Sequence, residues 1–241
     1  MINFLKRFIR KAFNLIGLDV VRISKAPKHT FLGLRNLPIR TIIDVGANKG
    51  QFARMISKLF QNAHINCFEP MPDLLKKLKE WAESQKGRVK VFNYALGDSE
   101  GTVEMFSHIE HSPSSSLLRT TEICERLYPF TKKQTAISVK STTLDKAMAN
   151  LSEPLIADIL IKLDVQGYED RVIRGGTETF HKARACIVEV CLDKLYENQA
   201  TFKNISFLLH DMGFRYAGNL EQVYNKDGHV IYIDAVFVKV E

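Results

Sequence analysis

The chain has 241 residues, 45% of them hydrophobic, enough to bury one substantial core, and carries a formal net charge of +7. The charge is uneven: residues 1–28 hold seven basic side chains against Asp19 alone, a net of +6 that leaves +1 for everything after. A nearly neutral body excludes a broad nucleic-acid-binding surface, and the four cysteines, none in a C-x-x-C pair, read as buried free thiols of a reducing compartment rather than disulfides or a zinc site.

Residues 2–17 have the pattern of an amphipathic helix. Phe4, Leu5, Phe8, Ile9, Ala12, Phe13 and Ile16 fall on one face, and Lys6, Arg7, Arg10, Lys11 and Asn14 on the other, with Gly17 as the stop. Such a helix either lies in a membrane interface or packs its apolar face on the domain or on a second copy of the chain. No apolar run reaches ~18 residues, so no membrane span is expected. The N-terminus lacks the continuous apolar stretch of a secretory signal. The expected location is the cytoplasm, at the inner face of the membrane if the helix rests on lipid. Residues 24–38, with Pro27 and Pro38, read as a linker with a short helix, which divides the chain into an appendage, 1–38, and a main domain, 39–241.

Thr41–Val45 is short, apolar and β-branched, as expected of a buried strand. Asp44 interrupts it just before a turn containing Gly46, Asn48 and Gly50. From Gln51 onward Phe52, Met55, Ile56, Leu59 and Phe60 recur at helical spacing. Strand, glycine turn and helix form a construction that aims amide N–H groups at a bound polar or anionic group. The dinucleotide pattern G-x-G-x-x-G and the P-loop are both absent. Asp44 would repel a pyrophosphate but suits an ammonium group. S-adenosylmethionine, with an ammonium and no phosphate, fits this turn better than a dinucleotide.

His64–Phe68 is the second strand, ending in Glu69-Pro70 ahead of a helix over Leu74–Trp81. A carboxylate at that strand tip is placed to accept both ribose hydroxyls. Arg88–Leu96 is read as the third strand, followed by a turn over Gly97–Gly101 and a returning strand, Thr102–Phe106. Asn93 and Asp98 are the polar candidates near an adenine ring, although Asp98 serves equally as a turn residue. His108–Thr120 is a polar loop on the acceptor side, with Ser115 and Ser116 as substrate candidates. Ala136–Lys140 reads as a further strand and Thr142–Met148 as a short helix opened by a threonine.

Ile159–Val165 is the fourth strand of the main sheet, apolar enough to be covered on both faces. Lys162 and Asp164 share its parity and so its side. Gln166–Glu169 turns into a helix. Ala185–Val190 is the fifth strand with Glu189 near its end, Phe202–Met212 a helix, and Phe214–Ala217 and Ile231–Val240 two closing strands. A terminal antiparallel pair fits the methyltransferase variant of the doubly wound sheet.

Taken in order, Asp44-Val-Gly-Ala-Asn-Lys-Gly50, Phe68-Glu-Pro70, Asn93-Tyr-Ala-Leu-Gly-Asp98, Ser114-Ser-Ser-Leu117, Thr143-Leu-Asp145 and Ile161-Lys-Leu-Asp-Val-Gln-Gly-Tyr-Glu169 resemble the FkbM-type methyltransferase family over about residues 40–190. The resemblance implies an α/β, doubly wound, seven-stranded and mostly parallel sheet of Rossmann-like, class I methyltransferase type with an antiparallel C-terminal strand. It also implies S-adenosylmethionine as cofactor and transfer to a hydroxyl of a small-molecule or glycan acceptor. In that architecture Asp164 lies beside the methyl group and is the catalytic candidate, as proton acceptor or as orienter of the acceptor. Pairing with Lys162, or holding the methionine ammonium, is its other reading. Glu169 and Glu189 flank the same strand ends as substrate candidates. Asp164 with Glu189 has no dedicated metal spacing, and no metal is assigned. Two other classes stay open at this point: a NAD- or nucleotide-sugar-binding enzyme on the same turn, and a non-catalytic, membrane-recruited module.

Overall fold

The computed structural model describes residues 2–108 and 110–240; for residues 2–6, 24 and 28 it describes the backbone alone. The expected apolar and basic positions Phe4, Leu5 and Lys6 therefore lie outside the described side chains.

The main sheet has seven strands: β1 (Thr41–Val45), β2 (His64–Phe68), β3 (Val89–Phe92), β7 (Ile159–Leu163), β8 (Ala183–Cys191), β9 (Phe214–Tyr224) and β10 (Val230–Lys239). Their spatial order is β3-β2-β1-β7-β8-β10-β9. The β3, β2, β1, β7 and β8 strands run parallel, while β10 is antiparallel to both β8 and β9. The order reverses between β1 and β7, and in open α/β sheets ligands bind outside the strand carboxyl ends at such a switch point. A second sheet, in the order β4-β6-β5, is built from β4 (Ala95–Gly97), β5 (Gly101–Ser107) and β6 (Thr135–Thr143).

The helices are α1 (Ile2–Asn14), α2 (Pro27–Thr30), α3 (Gln51–Leu59), α4 (Pro72–Glu83), α5 (Glu122–Leu127), α6 (Leu144–Ala149), α7 (Glu169–Arg174), α8 (Thr177–His181) and α9 (Phe202–Asp211). Alternating side chains of the central strands feed two cores, one on each face. Ile43, Val45, Ile161, Leu163 and Val188 pack with Val172 and Ile173 of α7, Phe180 of α8 and Leu209 of α9. Ile42, Ile65, Leu160 and Ile187 pack with Ile56 of α3 and Leu78 of α4. Phe31 and Leu34, within the stretch read as a linker, are buried in this second core, so the chain joins the folded body before β1.

The expected third strand over Arg88–Leu96 divides. Phe92 stacks on Phe68 at 4.9 Å and ends the main-sheet pairing. The Asn93 amide then donates to the carbonyls of Glu69 and Pro70, and Ala95–Gly97 pairs with β6 in the small sheet instead. The strand expected over Thr102–Phe106 pairs with β6 as well. All four cysteines are free and buried.

Candidate functional site

The strand order sets a row of ionisable groups along the switch point. Asp44 is in register with Lys162, and Asp234 of β10 with both Glu189 of β8 and Glu221 of β9. A cavity of about 450 Å³ opens above this row, within the usual range of roughly 300–1,000 Å³ for small-ligand sites. Of the residues singled out from the sequence, Asp44, Gly46, Asn48, Glu69, Pro70, Ser115, Ser116 and Asp164 line it.

The turn after β1 is shaped by close backbone approach. Gly46 adopts φ +80°, and a Cβ there would sit 1.9 Å from the Asp164 carbonyl oxygen. Asn48 is also left-handed, at φ 50°. The amides of this turn are not free, contrary to the expectation from its glycines. Gly46 and Ala47 donate to the Phe68 carbonyl, Asn48 donates to Glu69 Oε2 at 2.8 Å, Lys49 donates to Asn48 Oδ1, and Gly50 donates to Ala47. A pyrophosphate would find no unengaged backbone amide between Gly46 and Gly50, and the acidic side chains beside the turn suit a cationic group instead.

Those carboxylates are held under tension. Asp44 is buried and its Oδ2 has no hydrogen-bond partner. Burial pushes its carboxyl up to about 7, against the attraction of Lys162 and with the help of Asp164 and Glu69. Glu69 is likewise pushed up to about 7, first by burial, against the amides of Met71 and Asn48 that its two oxygens accept. Each of its oxygens keeps a further lone pair for a ribose hydroxyl. An orphaned, buried acidic oxygen next to a second fixed carboxylate suits a ligand that brings an ammonium and a diol, which fits S-adenosylmethionine.

Lys162 is buried and lies 3.1 Å from Asp234 and 3.6 Å from Asp164. Burial works against its charge, but Asp164, Asp234 and Glu189 outweigh burial and hold it protonated. Asp164 also accepts a hydrogen bond from Gln166 Nε2 at 2.8 Å, and its 35% exposed side chain reaches the cavity. Ser115 Oγ accepts from the His108 amide, and Ser116 Oγ donates to the Gln166 carbonyl at 2.7 Å, which ties the serine loop to the turn after β7.

Five of the sequence candidates stand elsewhere. Gly50 caps α3 against Leu78 and Trp81, away from the cavity. Asn93 spends its amide on the chain after β2, and Asp98 is an exposed residue of the turn after β4. Glu169 is buried with Oε1 accepting the amides of Val165 and Gly167, so it closes the turn into α7 instead of facing the cavity. Glu189 lines an adjoining, smaller cavity and bonds Gln166. Conversely, Phe52 and Met55, which read as core positions of a helix, form part of the cavity wall together with Tyr94, Tyr168 and Glu221. Asp234 went unread although a lone acid in an apolar strand is the signal that singled out Asp44.

The chain is similar to known proteins over most of its length. Residues 44–216 match the model of the methyltransferase FkbM domain. The chain is 30% identical over 183 residues to the 2-O-methyltransferase NoeI of Sinorhizobium fredii, covering 74% of each protein. It is 26% identical over 147 residues to the hexuronic acid methyltransferase AglP of Haloferax volcanii, covering 61% of this chain and 54% of that protein. The crystal structure of the methyltransferase FkbM from Methylobacillus flagellatus superposes on 85% of the chain with a TM-score of 0.53 at 10% identity, and this chain spans about half, 47%, of that one. With the family's matched region running from the first strand tip to the penultimate strand, the chain belongs to the FkbM methyltransferase family.

Proposed function

We propose that this methyltransferase transfers the methyl group of S-adenosylmethionine to a hydroxyl oxygen of a sugar or related metabolite. The observation that carries the reading is Asp164, the one acidic candidate that lines both the donor-sized cavity and the smaller cavity beside it. When bound, the donor supplies a methyl group already activated by its sulfonium. The chain's work is then alignment, which can supply roughly 7–11 kcal/mol of a barrier. Asp44 holds the ammonium, Glu69 the ribose, and Lys162 with Gln166 fixes the Asp164 carboxylate so that it receives the acceptor's proton. The sugar relatives support the acceptor class. Incubation with radiolabelled donor and a panel of glycans tests it: label should enter a sugar. Asp164→Asn should keep affinity for S-adenosylhomocysteine and lose most turnover, whereas equal turnover would remove Asp164 as the base.

We further infer that the N-terminal segment rests on an anionic bilayer at the cytoplasmic face. Phe8, Phe13 and Ile16 are exposed, alongside Arg7, Arg10 and Lys11. No helix among the described residues is long and apolar enough to cross a membrane, so the contact would be interfacial. The full chain should pellet with anionic vesicles and a chain lacking residues 1–18 should not; equal pelleting contradicts the idea. A dimer lost on the same truncation would instead place the apolar face on a second copy.

A further inference from the structure

A second, smaller cavity adjoins the first. It measures about 130 Å³ and shares Asp164 and Pro113 with the larger cavity. Its walls are aromatic: the Phe130 ring lies 4.8 Å from His111 and 5.8 Å from Tyr128. Its polar side is made by Gln166, Glu189 and Asp164. Gln166 is held at φ 57°, a strained conformation for a residue with a side chain. The surroundings fix it firmly. Its Nε2 donates to both Asp164 and Glu189, and its Oε1 accepts the Tyr196 hydroxyl at 2.6 Å. No lysine or arginine is among the described residues that line this cavity, while two carboxyl groups are.

We propose that this second cavity is the acceptor subsite and that it takes one pyranose ring of an uncharged sugar. Sugar hydroxyls donate to Asp164, Glu189 and the amide oxygen side of the Gln166 network, while the ring's C–H face lies against Tyr128 and Phe130. A uronate or a phosphorylated sugar would bring its anion against Asp164, whose one cation, Lys162, does not line this cavity and is already shared with Asp234, so charge selects against both. In the transfer, the hydroxyl oxygen forms its bond to the methyl carbon as the carbon–sulfur bond breaks. The electron pair of that bond stays on sulfur, and the hydroxyl proton passes to the Asp164 carboxylate. The inference rests on the sugar O-methylation reading and narrows it.

Saturation-transfer NMR on the full chain with S-adenosylhomocysteine present tests the subsite, using methyl glycosides of neutral hexoses and 6-deoxyhexoses against those of hexuronic acids. Neutral glycosides should bind, and the uronates should bind more weakly. Tyr128→Ala and Phe130→Ala should each weaken the neutral glycosides by about tenfold, the upper end for one aromatic contact, with affinity for S-adenosylhomocysteine unchanged. Tyr128→Phe should restore binding. Unchanged glycoside binding in both alanine variants would put the sugar elsewhere and overturn the subsite. Uronates binding as well as neutral sugars would overturn the charge selection. Should an alanine variant lose S-adenosylhomocysteine as well, Phe130→Leu, which keeps apolar bulk, carries the comparison. If no glycoside binds or accepts label in the wild type, the sugar reading itself falls, a result distinct from a misplaced subsite.

Discussion

At the scale of single residues, the site depends on acids kept in places water does not reach. Asp44, Glu69 and Glu169 are each pushed up to about 7 by burial, against roughly 3.9–4.3 for free carboxyls. A folded-state value above the unfolded one means that the folded protein binds the proton more tightly. Stability of the donor-free protein should therefore fall as pH rises from about 4 to about 7, then level off. An ammonium bound at Asp44 offsets part of that loss. The melting-temperature gain from S-adenosylhomocysteine should thus be larger at about pH 8 than at about pH 6, and Asp44→Asn should flatten the difference. A gain independent of pH in the wild type would separate Asp44 from the ammonium. Glu169 has a different task. Glu169→Ala strands the buried Gly167 amide and the half-buried Val165 amide and should lower stability by about 1–3 kcal/mol in chemical denaturation, while the folded fraction keeps its donor affinity. Asp44 and Glu69 were legible because a carboxylate at the tip of an apolar strand has few structural excuses. Glu169 looks the same in sequence, and only the turn geometry separates a carboxylate whose oxygen closes a backbone turn from one that lines the cavity.

At the scale of elements, the two glycine contacts separate fold from site. Alanine at Gly46 would combine φ +80° with a Cβ 1.9 Å from the Asp164 carbonyl oxygen. The loss should exceed the roughly 1–3 kcal/mol of backbone strain alone and should take donor binding with it. Alanine at Gly175 would meet the Gly97 carbonyl at the same 1.9 Å, where the helix pair α7–α8 passes the small sheet outside the cavity. Gly175→Ala should be comparably destabilising, yet any folded fraction should bind S-adenosylhomocysteine normally; thermal denaturation with calorimetry distinguishes the pair. Elements with a strong local pattern were readable: β1 and β2 match their expected bounds residue for residue. The Arg88–Leu96 run was not, because its apolar residues suit either sheet and the change of partner at Asn93 depends on Pro70, more than twenty residues away. The C-terminal strand β9 extends to Tyr224, well past the expected Ala217, since its exposed edge carries Asn219, Glu221 and Gln222 and lacks a hydrophobic signature.

At the scale of the molecule, parallel strands with both faces covered leave the strand ends open, and at the carboxyl ends beside the switch point the chain gathers ionisable groups from six strands. Lys162 holds this cluster together. Lys162→Met would leave Asp164 and Asp234 without their shared cation and should lower stability, by less than the roughly 3–5 kcal/mol of a fully buried broken pair because both carboxylates reach solvent, read by denaturant titration. Asp234 and Glu221 arrive from the antiparallel pair at the far end of the sequence, which is why a reading that followed βα units along the chain did not connect them to the site. The central claim is that Asp44 and Glu69, at the tips of adjacent strands, grip the ammonium and the ribose of the donor. Calorimetric titration of S-adenosylhomocysteine into the wild type, Asp44→Ala and Glu69→Ala, each first shown to be folded, tests it directly. Binding should be measurable in the wild type and lost in both variants; wild-type affinity in either would contradict the account.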